Sequence, residues 1–186
     1  MARHPGILRA VPPGCRTALD VGCGDGLLAS KLARRSRQVV GVDASSTMVA
    51  RASATYAEPT FLEGDFLTLD LPAGGFDFIC SVTAVHHMDF EAALLRMREL
   101  LRPGGVLVVV GLAREDSAAD RARRVAAAPL VRTVKALRRA VEPEGMPMAA
   151  PTMSHREVRE TAARLLPGVR YRWHVLRRYS LTWCRI

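Results

Sequence analysis

The first residues that could do chemistry lie in Ala18-Leu-Asp-Val-Gly-Cys-Gly-Asp-Gly26. An apolar run ends there at Gly22, Gly24 and Gly26, which permit a tight turn and let a ligand approach the backbone. A helix starting directly after them would aim its free N–H groups at the same point. The spacing is G-x-G-x-G, not the G-x-G-x-x-G of the dinucleotide fingerprint, and Asp20 stands two residues before the first glycine. A carboxylate there repels a pyrophosphate and attracts an ammonium, so the loop suits a ligand with an amino-acid end better than a nicotinamide dinucleotide. Asp43 closes Gly41-Val-Asp43, where an acid pairs with ribose hydroxyls. Glu63-Gly64-Asp65-Phe66 and the stretch from Ser81 to the adjacent His86 and His87 follow later apolar runs. The two imidazoles could move a proton near neutral pH.

Strands must carry these groups to one edge. The chain alternates short β-rich runs with helical patterns, the rhythm of βαβ units and a parallel sheet. Strands are expected at Thr17–Val21, Gln38–Asp43, Thr60–Glu63, Phe76–Val82 and Val106–Gly111. Helices are expected at Leu27–Arg35, from a Ser45 or Ser46 cap to about Thr55, and at Glu91–Leu101, where Leu94, Leu95, Met97 and Leu101 recur at 3–4 spacing. Arg102-Pro-Gly-Gly105 should stop the last of these. Ala113–Arg139 reads as one or two Arg/Ala-rich helices broken near Pro129, and Glu142–Pro151 as a loop. Ser154 with Glu157 forms a capping box for a helix to about Leu166. Val169–Val175 and Tyr179–Arg185 read as two closing strands. The fold class expected is α/β: a Rossmann-like, open, mostly parallel seven-stranded sheet with helices on both faces and a C-terminal antiparallel strand. One domain is expected over 1–186, with 1–111 as the cofactor half and 112–186 as substrate-side helices and closing strands.

In this order and spacing, with Leu101-Arg-Pro-Gly-Gly-Val-Leu107 as the last segment, the motifs resemble the class I S-adenosylmethionine-dependent methyltransferases. More narrowly, they resemble the small-molecule methyltransferase-like domain of that superfamily. The resemblance spans about Leu8 to Leu112 and extends less closely to Arg177-Arg-Tyr-Ser-Leu-Thr-Trp183. It implies in-line methyl transfer to an O-, N- or C-nucleophile of a small molecule, with S-adenosylmethionine as cofactor and S-adenosylhomocysteine as product. It implies that Asp20 holds the methionine amino group, directly or through water, while Gly22, Cys23 and Gly24 border the methionine and ribose. Asp43, beside Ala44, would take the ribose hydroxyls, and Met48 would cover the adenine. Asp65 would accept from the adenine amino group, between Gly64 and Phe66, and Ser81 would line the cofactor near the sulfonium. His86 and His87 are the candidate bases, His87 the favoured one. Structural alternatives stand beside these roles: a turn cap for Asp20, a helix cap for Asp43, a turn residue at Asp65, core packing for Met48 and Phe66, and packing for the histidines.

Bulk properties narrow the partners. The 186 residues carry a net charge of +9, and all of it lies in 112–186, because 1–111 hold 11 basic and 11 acidic residues. Only Lys31 and Lys135 are lysines, so the excess is arginine and is read chiefly as a solvated surface. A nucleic-acid methyltransferase is an alternative, but Ser81-Val-Thr-Ala84 stands where an Asn/Asp-Pro-Pro-aromatic segment would be required, and few aromatics accompany the arginines. A cofactor-binding, non-catalytic or partner-dependent subunit is another alternative. No apolar run spans a bilayer and no signal-peptide pattern precedes strand one, so a cytoplasmic protein without a membrane partner is expected. No metal is expected, since Cys15, Cys23, Cys80 and Cys184 lack ligand spacing. Only about 16 residues precede strand one. A lid over the site would come from 113–166, including the Met146–Met153 loop, or from a homodimer mate or partner subunit.

Overall fold

A computed structural model describes residues 4–115, 151–174 and 177–186. The expected helices over 113–139 and most of the 142–151 loop therefore lie outside the described residues, except that 113–115, expected as the start of a helix, are not helical: Arg114 bridges to Ser154. Strands β1 (Thr17–Val21), β2 (Gln38–Asp43), β3 (Thr60–Glu63), β4 (Phe76–Val82), β5 (Leu101–Leu112), β6 (Arg170–His174) and β7 (Arg178–Cys184) form one sheet in the order β3-β2-β1-β4-β5-β7-β6. The first five run parallel, and the β6–β7 hairpin adds β7 antiparallel to β5. The chain leaves β1 toward β2 and β3, then returns to place β4 on the other side of β1. The crevice between the carboxyl ends of β1 and β4 is thus the topological switch point, where open α/β sheets bind ligands.

Alternation along the strands sends side chains to two cores. Leu19, Val21, Ile79, Leu107 and Val109 face α4 (Phe90–Leu100) and α5 (His155–Leu165), which contribute Leu94, Met97, Val158 and Ala162. Ala18, Phe78, Cys80, Val108 and Val110 face α1 (His4–Ala10) and α2 (Leu27–Leu32). Helix α3 (Ser46–Thr55) crosses from β2 to β3.

Several boundaries depart from the sequence reading. Helix α1, unforeseen there, tucks Ile7 against Val108 and Val110. Seven residues are too few to show a period, and Pro5 sits in the first turn, where its missing N–H costs nothing. Helix α2 stops at Leu32 rather than Arg35. Helix α4 starts at Phe90, because Asp89 caps it through the Ala92 N–H at 2.7 Å. The Arg102–Gly105 segment does end α4, but it belongs to β5, which begins at Leu101 instead of Val106. A register shift between Phe76 and Phe78 absorbs the irregularity. Gly104 (φ 77°) donates to the Arg185 carbonyl at 2.6 Å, the setting in which a strand tolerates proline and glycine. Leu101, expected on the helix face, is instead buried on the strand, and Leu95 is exposed.

Candidate functional site

The glycine turn is built by packing as much as by hydrogen bonds. Gly26 (φ 77°) opens α2 in the left-handed region, and a Cβ there would come within 2.6 Å of the Phe61 ring and 2.9 Å of Ala52. A Cβ on Gly22 (φ 71°) would collide with Ala84, just after β4. The loops after β1 and β4 therefore touch at the switch point, and only glycine permits it.

Asp43 ties the loops together. Its Oδ2 accepts the Gly24 N–H at 2.8 Å and its Oδ1 the Ser45 N–H at 3.0 Å. Its carbonyl accepts the Gly64 N–H at 3.0 Å, and the Val42 carbonyl takes Gly22 and Cys23 at 2.8 and 3.0 Å. The cap of α3 is Ser45, whose Oγ accepts the Met48 N–H at 3.4 Å. Asp43 is half-buried, so its remaining lone pairs can still meet hydroxyls.

Asp20 is the electrostatic anomaly. It is 2 % exposed and paired in register with Cys80, whose thiol donates to Oδ1 at 3.5 Å. Its Oδ2 is buried and has no partner among the described residues. Burial raises its carboxyl from 3.8 to about 7; the Cys80 hydrogen bond lowers it in part, while Asp43 and Asp25 push it higher. Burial also raises the Cys23 and Cys80 thiols, so neither supplies a thiolate near neutral pH.

The other expected residues divide. Ala44 is exposed and Met48 half-buried at the start of α3. Asp65 is exposed and accepts the Leu67 N–H at 2.9 Å, which is turn chemistry. Phe66 is 3 % exposed and lies in the core, with the Arg96 guanidinium 5.9 Å from its ring. Ser81 is fully buried, its hydroxyl donated to the Val21 carbonyl at 2.8 Å. Asp20, Gly22, Cys23, Gly24, Asp43 and Gly64 are thus joined at the carboxyl ends of β1–β3, whereas Phe66 and Ser81 face inward.

Beyond the crevice lies a cavity of about 260 Å³, its wall including Val85, His86, Met88, Phe90, Met153 and Tyr179. His86 and His87 sit on the 3₁₀ turn Val85–His87 with ring centroids 4.0 Å apart. Only His86 reaches the cavity wall; His87 is exposed. The His86 Nδ1 is buried without a partner among the described residues. Burial, then the neighbouring His87, lower its pKa to about 4, so its ring is neutral at physiological pH. Sequence reasoning placed Met153 in a candidate lid loop but did not single out Tyr179 or Thr83. Tyr179 packs so closely over Gly111 that a Cβ there would meet its ring. Thr83 holds φ 60° while donating to the Val110 carbonyl at 2.7 Å; a β-branched residue gives no sequence signal of that conformation.

Known proteins share this framework. Residues 19–109 match the family model described as a methyltransferase domain. An uncharacterised methyltransferase of Mycobacterium tuberculosis is 46 % identical over 103 residues, 54 % of this chain and 52 % of that protein. A ubiquinone biosynthesis O-methyltransferase of Rhodopseudomonas palustris is 35 % identical over 101 residues, 52 % of this chain and 40 % of that one. The chain spans about half the length, or less, of these curated relatives. The fold matches the solved S-adenosylmethionine-dependent methyltransferase of Mesorhizobium loti with a TM-score of 0.69 at 18 % identity, covering 100 % of this chain and 98 % of that one.

Proposed function

We propose that this chain, which belongs to the class I S-adenosylmethionine-dependent methyltransferase superfamily, moves a methyl group from S-adenosylmethionine to an O-, N- or C-nucleophile of a small molecule. The observation that carries this reading is the buried Asp20 oxygen without a partner, beside a glycine turn moored by Asp43. A buried carboxylate is costly unless it is paired, and a methionine ammonium is a pairing cation. The residues present fit the cofactor: Asp20 for the amino group, the Gly22–Gly24 backbone for the methionine and ribose, Asp43 for the ribose hydroxyls, and Met48 and Asp65 for the adenine.

When bound, the cofactor supplies a methyl carbon on a positive sulfur, a leaving group that needs no acid. The chain's residues then position the acceptor and exclude water, since orientation alone can lower a barrier by about 7–11 kcal/mol. The acceptor belongs in the cavity beside the crevice, whose volume of about 260 Å³ suits a small molecule better than a nucleic-acid strand. The ubiquinone biosynthesis O-methyltransferase among the relatives supports a small acceptor. There His86 meets the acceptor and accepts a hydrogen bond or a proton from its nucleophile.

Calorimetric titration with S-adenosylhomocysteine, with NAD(H) as control, tests the cofactor assignment. Binding of the former alone, lost in Asp43→Ala, is expected. Binding of NAD(H) instead, or of neither, would remove the reading.

A further inference from the structure

The β6–β7 hairpin has two unlike faces. On one, Tyr179, Leu181 and Trp183 are buried in the core beneath α4 and α5, and Tyr171 packs against it. The other face continues from Val108 and Val110 of β5. Val108 pairs with Thr182 and Thr182 with Arg170; Val110 pairs with Ser180 and Ser180 with Arg172. One step further, Arg178 pairs with His174. Directly paired residues leave the same side of an antiparallel ladder, so Arg170, Arg172, His174, Arg178, Ser180 and Thr182 share one surface. Over β5 that side is covered by α1, whose Ile7 packs with Val108 and Val110, but no residue of β6 or β7 enters that core. Arg170 and Arg172 are exposed and Arg178 is half-buried. Among the described residues none of these three has an ion pair or a side-chain hydrogen bond. His174 is hydrogen-bonded to the Ser180 hydroxyl at 2.8 Å. From Val169 to Ile186 the sequence holds no acid.

A strand repeats its same-face side chains about every 6.7 Å. Arg170 and Arg172 therefore present guanidinium groups at that step, and Arg178 extends the charge onto β7. β6 is the last strand of the sheet, the place where an extended segment can lie alongside. A second copy of β6 is a poor occupant. Antiparallel pairing centred on Arg172 would set that arginine against its own mate, and like charges directly opposite are destabilising. Nucleic acid finds no Phe, Tyr or Trp on this face to stack on, because Tyr171 and Trp173 stand on the other. A bilayer finds no apolar side chain there to enter it. An extended polypeptide with acids at alternate positions, by contrast, repeats its carboxylates at the strand's own step, and guanidinium groups match carboxylates in geometry. We infer that the basic face of β6 and β7 docks an acidic, extended segment of a partner protein, with alternate carboxylates on Arg170 and Arg172 and with Arg178 extending the same surface.

Fluorescence anisotropy of short labelled peptides on the full chain tests this. One peptide alternates glutamate and valine, a second alternates glutamine and valine, and a third has the composition of the first with its acids consecutive. Poly-uridylate and phosphatidylglycerol vesicles are the competing partners. The alternating acidic peptide should bind about tenfold more tightly than the glutamine peptide and weaken with added salt, as a few exposed ion pairs do. It should also bind more tightly than the peptide with consecutive acids. Arg170→Gln combined with Arg172→Gln should bring it to the level of the glutamine peptide, and Arg172→Glu should move the preference to a peptide alternating lysine and valine. Edge charges that only deter aggregation would show no preference for alternation. Equal binding of the acidic and glutamine peptides, indifference to the order of the acids, undiminished binding by the variants, or preferential binding of poly-uridylate or vesicles would each overturn the proposal. If thermal melting shows that a variant does not fold, the comparison of probes on the unsubstituted protein decides alone.

Discussion

Asp20 carries the strongest consequence at the scale of single residues. Its folded carboxyl is raised from 3.8 to about 7, so between those values the folded protein holds a proton that the unfolded chain has released. Stability from this group is therefore undiminished below about pH 4 and declines as pH rises toward 7. Binding of an ammonium reverses the preference and releases that proton. Affinity for S-adenosylhomocysteine should rise by up to about tenfold per unit from pH 5.5 toward 7 and level off above. Calorimetry in two buffers of different ionisation enthalpy checks the proton release, and Asp20→Asn should bind weakly and lose the pH dependence. A flat profile in the unsubstituted protein would contradict an ammonium partner. The histidines give a second comparison. His86→Ala should slow transfer to a hydroxyl acceptor by at least about 10²-fold if that proton must be removed in the reaction. His87→Ala should change the rate little, because His87 is exposed and off the cavity wall. The reverse ranking, measured by product release, would restore His87 as the base favoured by sequence. These residue types were legible because an acid before a glycine turn is chemically specific. The inward turn of Phe66 and Ser81 was not, because an aromatic or a serine suits a core as well as a ligand.

Elements were legible where local chemistry decides them. β2, β3 and β4 lie within the expected bounds, since apolar runs flanked by turn residues leave few alternatives. The capping box of α5 is also local. The Ser154 hydroxyl accepts the Glu157 N–H at 3.2 Å, and the Glu157 carboxylate accepts the Ser154 N–H at 2.7 Å. Ser154→Ala should cost about 1 kcal/mol, read as a lower midpoint in denaturant at unchanged slope. No loss would mean that the cap is dispensable once α5 is packed. The run through Arg102–Gly105 could not be read locally. Proline and two glycines say turn, yet pairing of Leu101 with Phe76 and of the Gly104–Gly105 backbone with Arg185 keeps them in the strand.

At the scale of the whole molecule, several arginines tie distant backbone segments together. Arg96 donates to the Phe66 carbonyl at 2.9 Å and Arg98 to the Leu165 carbonyl at 2.9 Å. Arg185 donates to the Arg98 and Glu99 carbonyls at 2.9 and 3.1 Å. Arg102 bonds Asp77 at 2.8 Å, and Asp77 in turn accepts the Arg16 and Thr17 N–H groups, joining β4, β5 and the approach to β1. Burial raises the Asp77 carboxyl, but the hydrogen bonds from Arg102, Thr17 and Arg16 outweigh it and hold it at about 2. This stabilisation is complete above about pH 4 and is lost as pH falls through 2, on the order of 1–2 kcal/mol. Asp77→Asn should lower stability at pH 6 and flatten its fall between pH 4 and 2 in urea titrations. An unaltered acid profile would show that the cluster does not act in this way. Among the described residues no helix is long and apolar enough to cross a membrane.

The sequence by itself determined the order of strands and helices, the glycine turn and the acids at strand ends, because apolar period, caps and turn residues act over a few positions. The tertiary structure alone decided which of those acids is left without a partner and which histidine reaches the cavity. Each depends on contacts between residues tens of positions apart, such as Asp20 with Cys80 and Gly22 with Ala84. Burial and pairing are properties of those distant neighbours, and no local pattern encodes them.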